Sequence, residues 1–108
     1  MHQERIRKII DDFKKALESQ GIKADKLILF GSYAKGVADK YSDIDLVVIS
    51  TDFAKMDFQQ RCEILGKAIV HVMEPIEPLA YTPEEFEKLS AFNVAGIITK
   101  NESEYAIV

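Results

Sequence analysis

The sequence is poor in the residues that mark disulfide-rich, membrane-spanning and nucleic-acid-gripping proteins. Cys62 is its one cysteine, which excludes an intramolecular disulfide and a cysteine-based metal site. No apolar run approaches the roughly 18 residues of a membrane-spanning helix, and the N-terminus is polar and charged. We therefore expect a cytoplasmic protein without a signal peptide or membrane span.

The basic residues are too few and too scattered for sequence-independent binding to a long nucleic acid. There are 14 Lys and Arg against 18 Asp and Glu, so the net charge is −4. Proteins that grip extended nucleic acid neutralise phosphates with clustered Lys and Arg, and this chain has no such cluster. We expect no partner of that class.

What the sequence does contain is enough apolar material for one core, since 47% of its 108 residues are hydrophobic. We predict one domain over residues 1–108. Periodicity predicts a helix over about 3–20, strands over 26–30 and 43–50, and a helix over 58–72. A proline-containing strand follows before residue 82 and should either lie at a sheet edge or stay partly unpaired. Thr82-Pro83-Glu84-Glu85 then has the pattern of a helix start with a capping box.

Several smaller expectations accompany this outline. The 58–72 helix should bury a stripe that includes Cys62 as a small core residue and Leu65. Residues 51–57 read as a polar loop, 91–100 as a second helical piece near the end of the chain, and 105–108 as a short last strand.

The stretch from residue 27 to residue 50 is the most informative part of the chain. An apolar strand, LILF, ends at Gly31-Ser32, and Ser42-Asp43-Ile44-Asp45 leads directly into a second apolar strand, LVVIS. Side chains alternate along a strand, so the carboxylates of Asp43 and Asp45 should share one face, about 7 Å apart. A bound cation would remove their repulsion, and carboxylate oxygens suit Mg²⁺ or Mn²⁺. Two solvated surface acids are the alternative.

The turn GSYAKG after the first strand suggests a phosphate site. Gly31 allows a tight exit from the strand, and Ser32 offers a hydroxyl and an N–H where a short helix can begin. Lys35 supplies a nearby positive charge. If the two strands are neighbours, these groups and the two acids meet at one end of the sheet.

Gly31-Ser32, ten intervening residues and Asp43-Ile44-Asp45 together resemble the nucleotidyltransferase superfamily related to DNA polymerase beta. The segments GSYAKG and SDIDLVV most resemble those of the small stand-alone members of this superfamily, the minimal nucleotidyltransferases. The resemblance implies an α+β fold, a small mixed sheet with helices packed against it. It also implies transfer of a nucleoside monophosphate from ATP or another nucleoside triphosphate, with Gly31, Ser32 and Lys35 at the triphosphate.

In this family two Mg²⁺ ions are held by three acids, so the resemblance implies Asp43, Asp45 and a third acid on the next strand as catalytic, metal-binding residues. Glu77 matches that position best, although many relatives have Asp there, and Glu74 is the alternative. The residues of this chain do not themselves identify the acceptor.

The resemblance further implies an antitoxin that transfers AMP to a small helical HEPN protein. Two alternatives stay open: a dimeric enzyme that modifies a small molecule, and a module that binds nucleotide or partner without catalysis.

Overall fold

The computed structural model describes residues 2–31, 33, 38–39, 42–91 and 106–107. Within these residues the helices and strands follow in the order α1 (His2–Glu18), β1 (Lys26–Phe30), β2 (Ile44–Ile49), α2 (Phe58–Val72), β3 (Ile76–Tyr81), α3 (Pro83–Ala91) and β4 (Ala106–Ile107). A single 3-10 turn (Thr51–Phe53) follows β2. The expected α+β class is confirmed, and the element bounds agree with the sequence to within a few residues.

The four strands form one mixed sheet in the order β3-β2-β1-β4. β1 runs antiparallel to both β2 and β4, whereas β2 and β3 are parallel. Parallel neighbours require a crossover connection, and α2 supplies it. The proline-containing strand β3 lies at an edge of the sheet, as predicted.

The main core lies between one sheet face and the helices α1 and α2. Ile10, Phe13 and Leu17 of α1 are almost completely buried, as the 3–20 periodicity predicts. They pack with the inward side chains of β2, among them Leu46 and Val48. The α1 face carrying charged residues points to solvent, where Lys8 pairs with Asp12 and Lys15 with Asp11.

The opposite sheet face carries a smaller cluster in which Val47 and Ile49 of β2 pack with Ile28, next to Tyr81 and Phe86. The rings of Tyr81 and Phe86 lie 6.1 Å apart, so α3 covers this end of the face. Asp45 belongs to the same face by alternation along β2. The acid therefore lies on the less covered side of the sheet.

The capping box predicted at the start of α3 is present. The backbone N–H of Thr82 donates to Glu85 Oε1 at 2.9 Å, and the N–H of Glu85 donates to Thr82 Oγ1 at 3.1 Å. Arg61 of α2 also donates to Glu85, at 2.7 Å, and to the carbonyl of Phe53 at 2.7 Å. Arg61 thus joins α2, the turn after β2 and α3, which is a structural role.

Two expectations about α2 and the loop before it are wrong. Cys62 is exposed, whereas Leu65 and Ala68 form the buried side of the helix. The segment 51–57 is not simply polar loop, because Phe53 is completely buried beneath the Arg61 guanidinium. The predicted helix over 91–100 lies outside the described residues apart from Ala91, which ends α3; of the predicted last strand, Ala106–Ile107 pairs with β1.

Among the described helices, none combines the length and hydropathy needed to cross a bilayer.

Replacing Glu85 with Gln should destabilise the protein by about 0.5 kcal/mol, because glutamine can keep the capping box but loses the charge that pairs with Arg61 in a half-exposed, solvent-screened ion pair. The Arg61 guanidinium holds the pKa of Glu85 below its ordinary value of 4.5. A lowered folded pKa stabilises the fold above pH 4.5, and this contribution is lost as the pH falls through the folded value.

Thermal unfolding of wild type and Glu85→Gln should therefore differ at pH 7 and converge near pH 3. Glu84→Gln, in the same helical turn, is the control and should unfold like wild type at both pH values. An equal loss of stability in Glu84→Gln would contradict the assigned role of Glu85.

Candidate active site

The backbone of Gly31 lies directly against the carboxylate of Asp45. Phe30, the last residue of β1, pairs with Asp45 of β2, so the chain turns away from the sheet beside this acid. Gly31 has φ +76°, and a Cβ at this position would collide with Asp45 Oδ2 and lie 3.0 Å from its Cγ. Only glycine combines this backbone conformation with this close approach.

The parallel pairing of β2 and β3 brings Glu77 next to Asp45. The two residues are register partners, so their side chains leave the same face of the sheet on strands about 4.8 Å apart. Asp43 precedes β2 by one residue, and its carboxylate also interacts with Glu77. The structure therefore brings Asp43, Asp45 and Glu77 together.

Mutual repulsion and hydrogen bonding perturb these acids. The charge of Asp43, followed by a hydrogen bond with it, raises the pKa of Glu77, and Asp45 acts in the same direction. Burial raises the pKa of Asp45, while its hydrogen bond with Glu77 opposes that shift. The three acids therefore disfavour one another's ionised form, and the pKa of Glu77 is raised chiefly by Asp43.

The chemistry of these three side chains suits a divalent cation, because Mg²⁺ and Mn²⁺ prefer carboxylate oxygens. In the part of the chain that the structure describes, however, no group of three His, Cys, Asp or Glu side chains is arranged around a point that a metal ion could fill. The carboxyls here interact with one another instead. Holding an ion would require these exposed or half-buried side chains to turn outward from that contact.

The remaining site predictions concern Ser32, Lys35 and Glu74. Ser32 and Lys35 lie outside the described residues. Glu74, the alternative third acid, points toward α1 and pairs with Arg5 at 3.1 Å. Of the two candidates, Glu77 is the one beside the aspartates.

A short hydrogen-bond network that the sequence did not reveal precedes Asp43. Ser42 Oγ accepts from the backbone N–H of Asp39 at 3.0 Å, and the Ser42 N–H donates to the Asp39 carbonyl at 3.1 Å. The hydroxyl of Tyr33 donates to the same carbonyl at 3.1 Å, while its ring packs against the main core. These bonds fix where the chain enters β2. The Asp-x-x-Ser spacing was the available signal, since it is a common turn pattern.

Comparison with known proteins identifies the family of this chain. The family described as nucleotidyltransferase domain matches residues 6–105. The chain belongs to this family. A protein of Methanocaldococcus jannaschii named "Putative protein adenylyltransferase" is 31% identical over 105 residues, covering 92% of this chain and 71% of that protein. A second protein of the same organism and description is 37% identical over 57 residues, covering 52% of this chain and 58% of its own length.

Solved structures share the fold of this nucleotidyltransferase. A Sulfolobus solfataricus protein described as a putative nucleotidyltransferase superposes with a TM-score of 0.64 at 20% identity, covering 80% of this chain and 75% of that one. A chain from a structure described as a toxin-antitoxin with AMP-PNP gives a TM-score of 0.51 at 19% identity, covering 83% and 86%. At such low identities these similarities bear on the fold alone.

Substituting Gly31 with Ala should destabilise the protein by more than the roughly 1–2 kcal/mol expected for a left-handed non-glycine residue. The added methyl group must also displace the Asp45 carboxylate. Gly21→Ala is a matched control, because Gly21 has φ +87° and open space around the added Cβ.

Chemical denaturation of both variants separates the two costs. The double variant Gly31→Ala/Asp45→Ala should recover part of the extra loss in Gly31→Ala. Equal losses in Gly21→Ala and Gly31→Ala would show that the contact with Asp45 carries no energetic weight.

Replacing Glu77 with Gln should raise the melting temperature of the metal-free protein at pH 7. Because the folded pKa of Glu77 lies above its ordinary 4.5, ionisation opposes folding, and the penalty grows as the pH rises through the folded value. Below pH 4 both states are protonated, so the gain should vanish there. Melting curves in EDTA test this, with Glu74→Gln as the control that loses an ion pair to Arg5 and should gain nothing.

Proposed function

We propose that this nucleotidyltransferase transfers AMP from ATP to a hydroxyl of a protein acceptor. The observation that carries the proposal is the meeting of Asp43, Asp45 and Glu77 beside the Gly31 turn. The family membership and the name of the M. jannaschii relatives, which denotes a protein acceptor, support the same reaction.

The three acids would bind metal in the proposed reaction, and Glu77 has a second role. Asp43 and Asp45, with Glu77 turned outward, would hold two Mg²⁺ ions; Mn²⁺ is the alternative. Such ions neutralise charge at the α-phosphate and on the leaving group. Glu77 would also be the route by which the proton of the attacking hydroxyl is removed.

In the balanced reaction the acceptor oxygen bonds to the α-phosphorus. The bond from that phosphorus to the bridging oxygen of the β-phosphate breaks, and pyrophosphate leaves. Gly31, Ser32 and Lys35 are the residues we propose for binding the triphosphate. The backbone at Gly31 can approach a phosphate closely because glycine has no side chain to intervene.

For the acceptor we propose a tyrosine of a small helical HEPN-type partner, silenced by the transfer in an antitoxin role. The fold similarity to a chain in a toxin-antitoxin structure with AMP-PNP supports testing that class of partner first.

The decisive experiment is label transfer from ATP carrying its label on the α-phosphate, with Mg²⁺, into a lysate of the source organism. A labelled protein band is expected with wild type and not with Asp45→Asn. The same ATP labelled on the γ-phosphate should give no band that depends on the added wild-type protein beyond those that kinases of the lysate produce in every sample, which distinguishes AMP transfer from phosphoryl transfer. Glu74→Gln, altered outside the acid site, should retain the activity.

Absence of a band with wild type, alongside measurable ATP binding, would replace the proposal with a non-catalytic binding module. A labelled small molecule in place of a protein would point to the other acceptor class.

A further inference from the structure

Helix α2 presents an exposed apolar stripe that nothing in the described chain covers. Phe58, Cys62, Gly66 and Val70 follow one another at intervals of four residues, and Met73 ends the helix on the same side. At 100° per residue they fall within an arc of about 120°, which Gln59 and the partly buried Ile69 also occupy. Phe58 is 82% exposed, Val70 73% and Met73 83%. Such a row differs from the isolated exposed apolar residues found on most proteins.

Gly66 and Met73 of this stripe are both unfavourable for the stability of α2. Gly66 lies in the middle of α2, where glycine costs about 1 kcal/mol relative to alanine, and a Cβ there would meet nothing within 4 Å. Met73 adopts the left-handed conformation, φ 57° and ψ 44°, at the C-cap, where glycine is the usual residue. No packing within the described chain explains either choice. A glycine without an internal reason is the residue that lets a second helix approach closely.

The stripe is arranged symmetrically about Gly66. Cys62 and Val70 lie four residues on either side, while Phe58 and Met73 lie eight and seven residues away. A two-fold interface requires a surface that complements itself: if residue i of one copy contacts residue j of the other, then residue j of the first copy contacts residue i of the second. Two antiparallel α2 helices crossing at Gly66 would pair Phe58 with Met73 and Cys62 with Val70.

The charges beside the stripe fit the same arrangement. Glu63 and Lys67 lie next to one another on the solvent side of α2, on either side of the Gly66 position. In an antiparallel pair whose two-fold axis passes through Gly66, the two solvent sides adjoin. Glu63 of each copy then lies about two residues, or roughly 3 Å, along the axis from the level of Lys67 of the other, within reach of a favourable pairing of opposite charges.

From these observations we propose that α2 is the interface of a homodimer, in which two copies cross antiparallel at Gly66. The inference does not depend on the proposed nucleotidyl transfer. Asp45→Asn should dimerise like wild type, so failure of one proposal leaves the other standing.

The first test is disulfide trapping in the full chain. Gly66→Cys in a Cys62→Ser background should form a disulfide-linked dimer under mild oxidation, because the two introduced sulfurs meet at the crossing point. Cys62 of wild type should not link to itself, since the two copies of this residue would lie about 12 Å apart along the helix axes. Lys15→Cys/Cys62→Ser, with an exposed cysteine on α1, is the control for random collision.

The second test uses charge reversal, measured by sedimentation equilibrium and native mass spectrometry. Glu63→Lys and Lys67→Glu should each weaken self-association, because like charges then face each other. An equimolar mixture of the two should form the heterodimer in preference to either homodimer. Met73→Gly, which relieves the backbone strain and removes apolar contact, should keep its circular dichroism spectrum and weaken the dimer about tenfold.

A wild type that stays monomeric at every concentration would overturn the proposal. So would trapping of Gly66→Cys no faster than the Lys15 control, or a mixture without heterodimer preference. Stable capture of a different helical protein on the stripe, with no dimer in its absence, would assign the surface to that partner instead.

Discussion

The parallel pairing of β2 with β3 is the interaction on which the candidate site depends. It places Glu77 opposite Asp45, on the face away from α1 and α2. A shift of this register by one residue would turn Glu77 toward the core and bring a neighbouring side chain to the site. The register is held by the buried face of the same strands, where Ile44, Leu46 and Ile76 pack with the helices. Core packing therefore sets the geometry of the acids.

The site opposes the stability of the fold that holds it. Glu77 and Asp45 both have raised pKa values, so ionised carboxylates are brought together at a cost when no cation is present. Gly31 adds a residue that cannot be exchanged for a better-ordered one without displacing Asp45. Binding of a cation or a substrate would explain why the protein keeps a destabilising cluster of acids. A ligand that binds only the folded state raises the free energy of unfolding by mass action and so offsets the repulsion.

Local patterns in the sequence were sufficient for most of the fold and for part of the site. Short runs of neighbouring residues were enough to predict the strand exit at Gly31, the two acids at the start of β2 and the capping box at Thr82. Neighbouring residues alone could not decide between Glu77 and Glu74 as the third acid, because the choice depends on which strand β3 pairs with and in which register. The buried position of Phe53 was missed for a similar reason: its ring packs in the main core, and Arg61 from another helix lies over the ring and donates to the Phe53 carbonyl.

The wrong prediction for Cys62 shows what helical periodicity can and cannot distinguish. The apolar residues of α2 occupy two adjacent sides of the helix: Leu65 and Ala68 contact the core, whereas Phe58, Cys62 and Val70 do not. Periodicity reports that a side is apolar without saying what covers it. The second side is explained if another chain covers it. The helix that carries the chain from β2 to β3, and so brings Glu77 to Asp45, is then also the helix through which two such sites are joined.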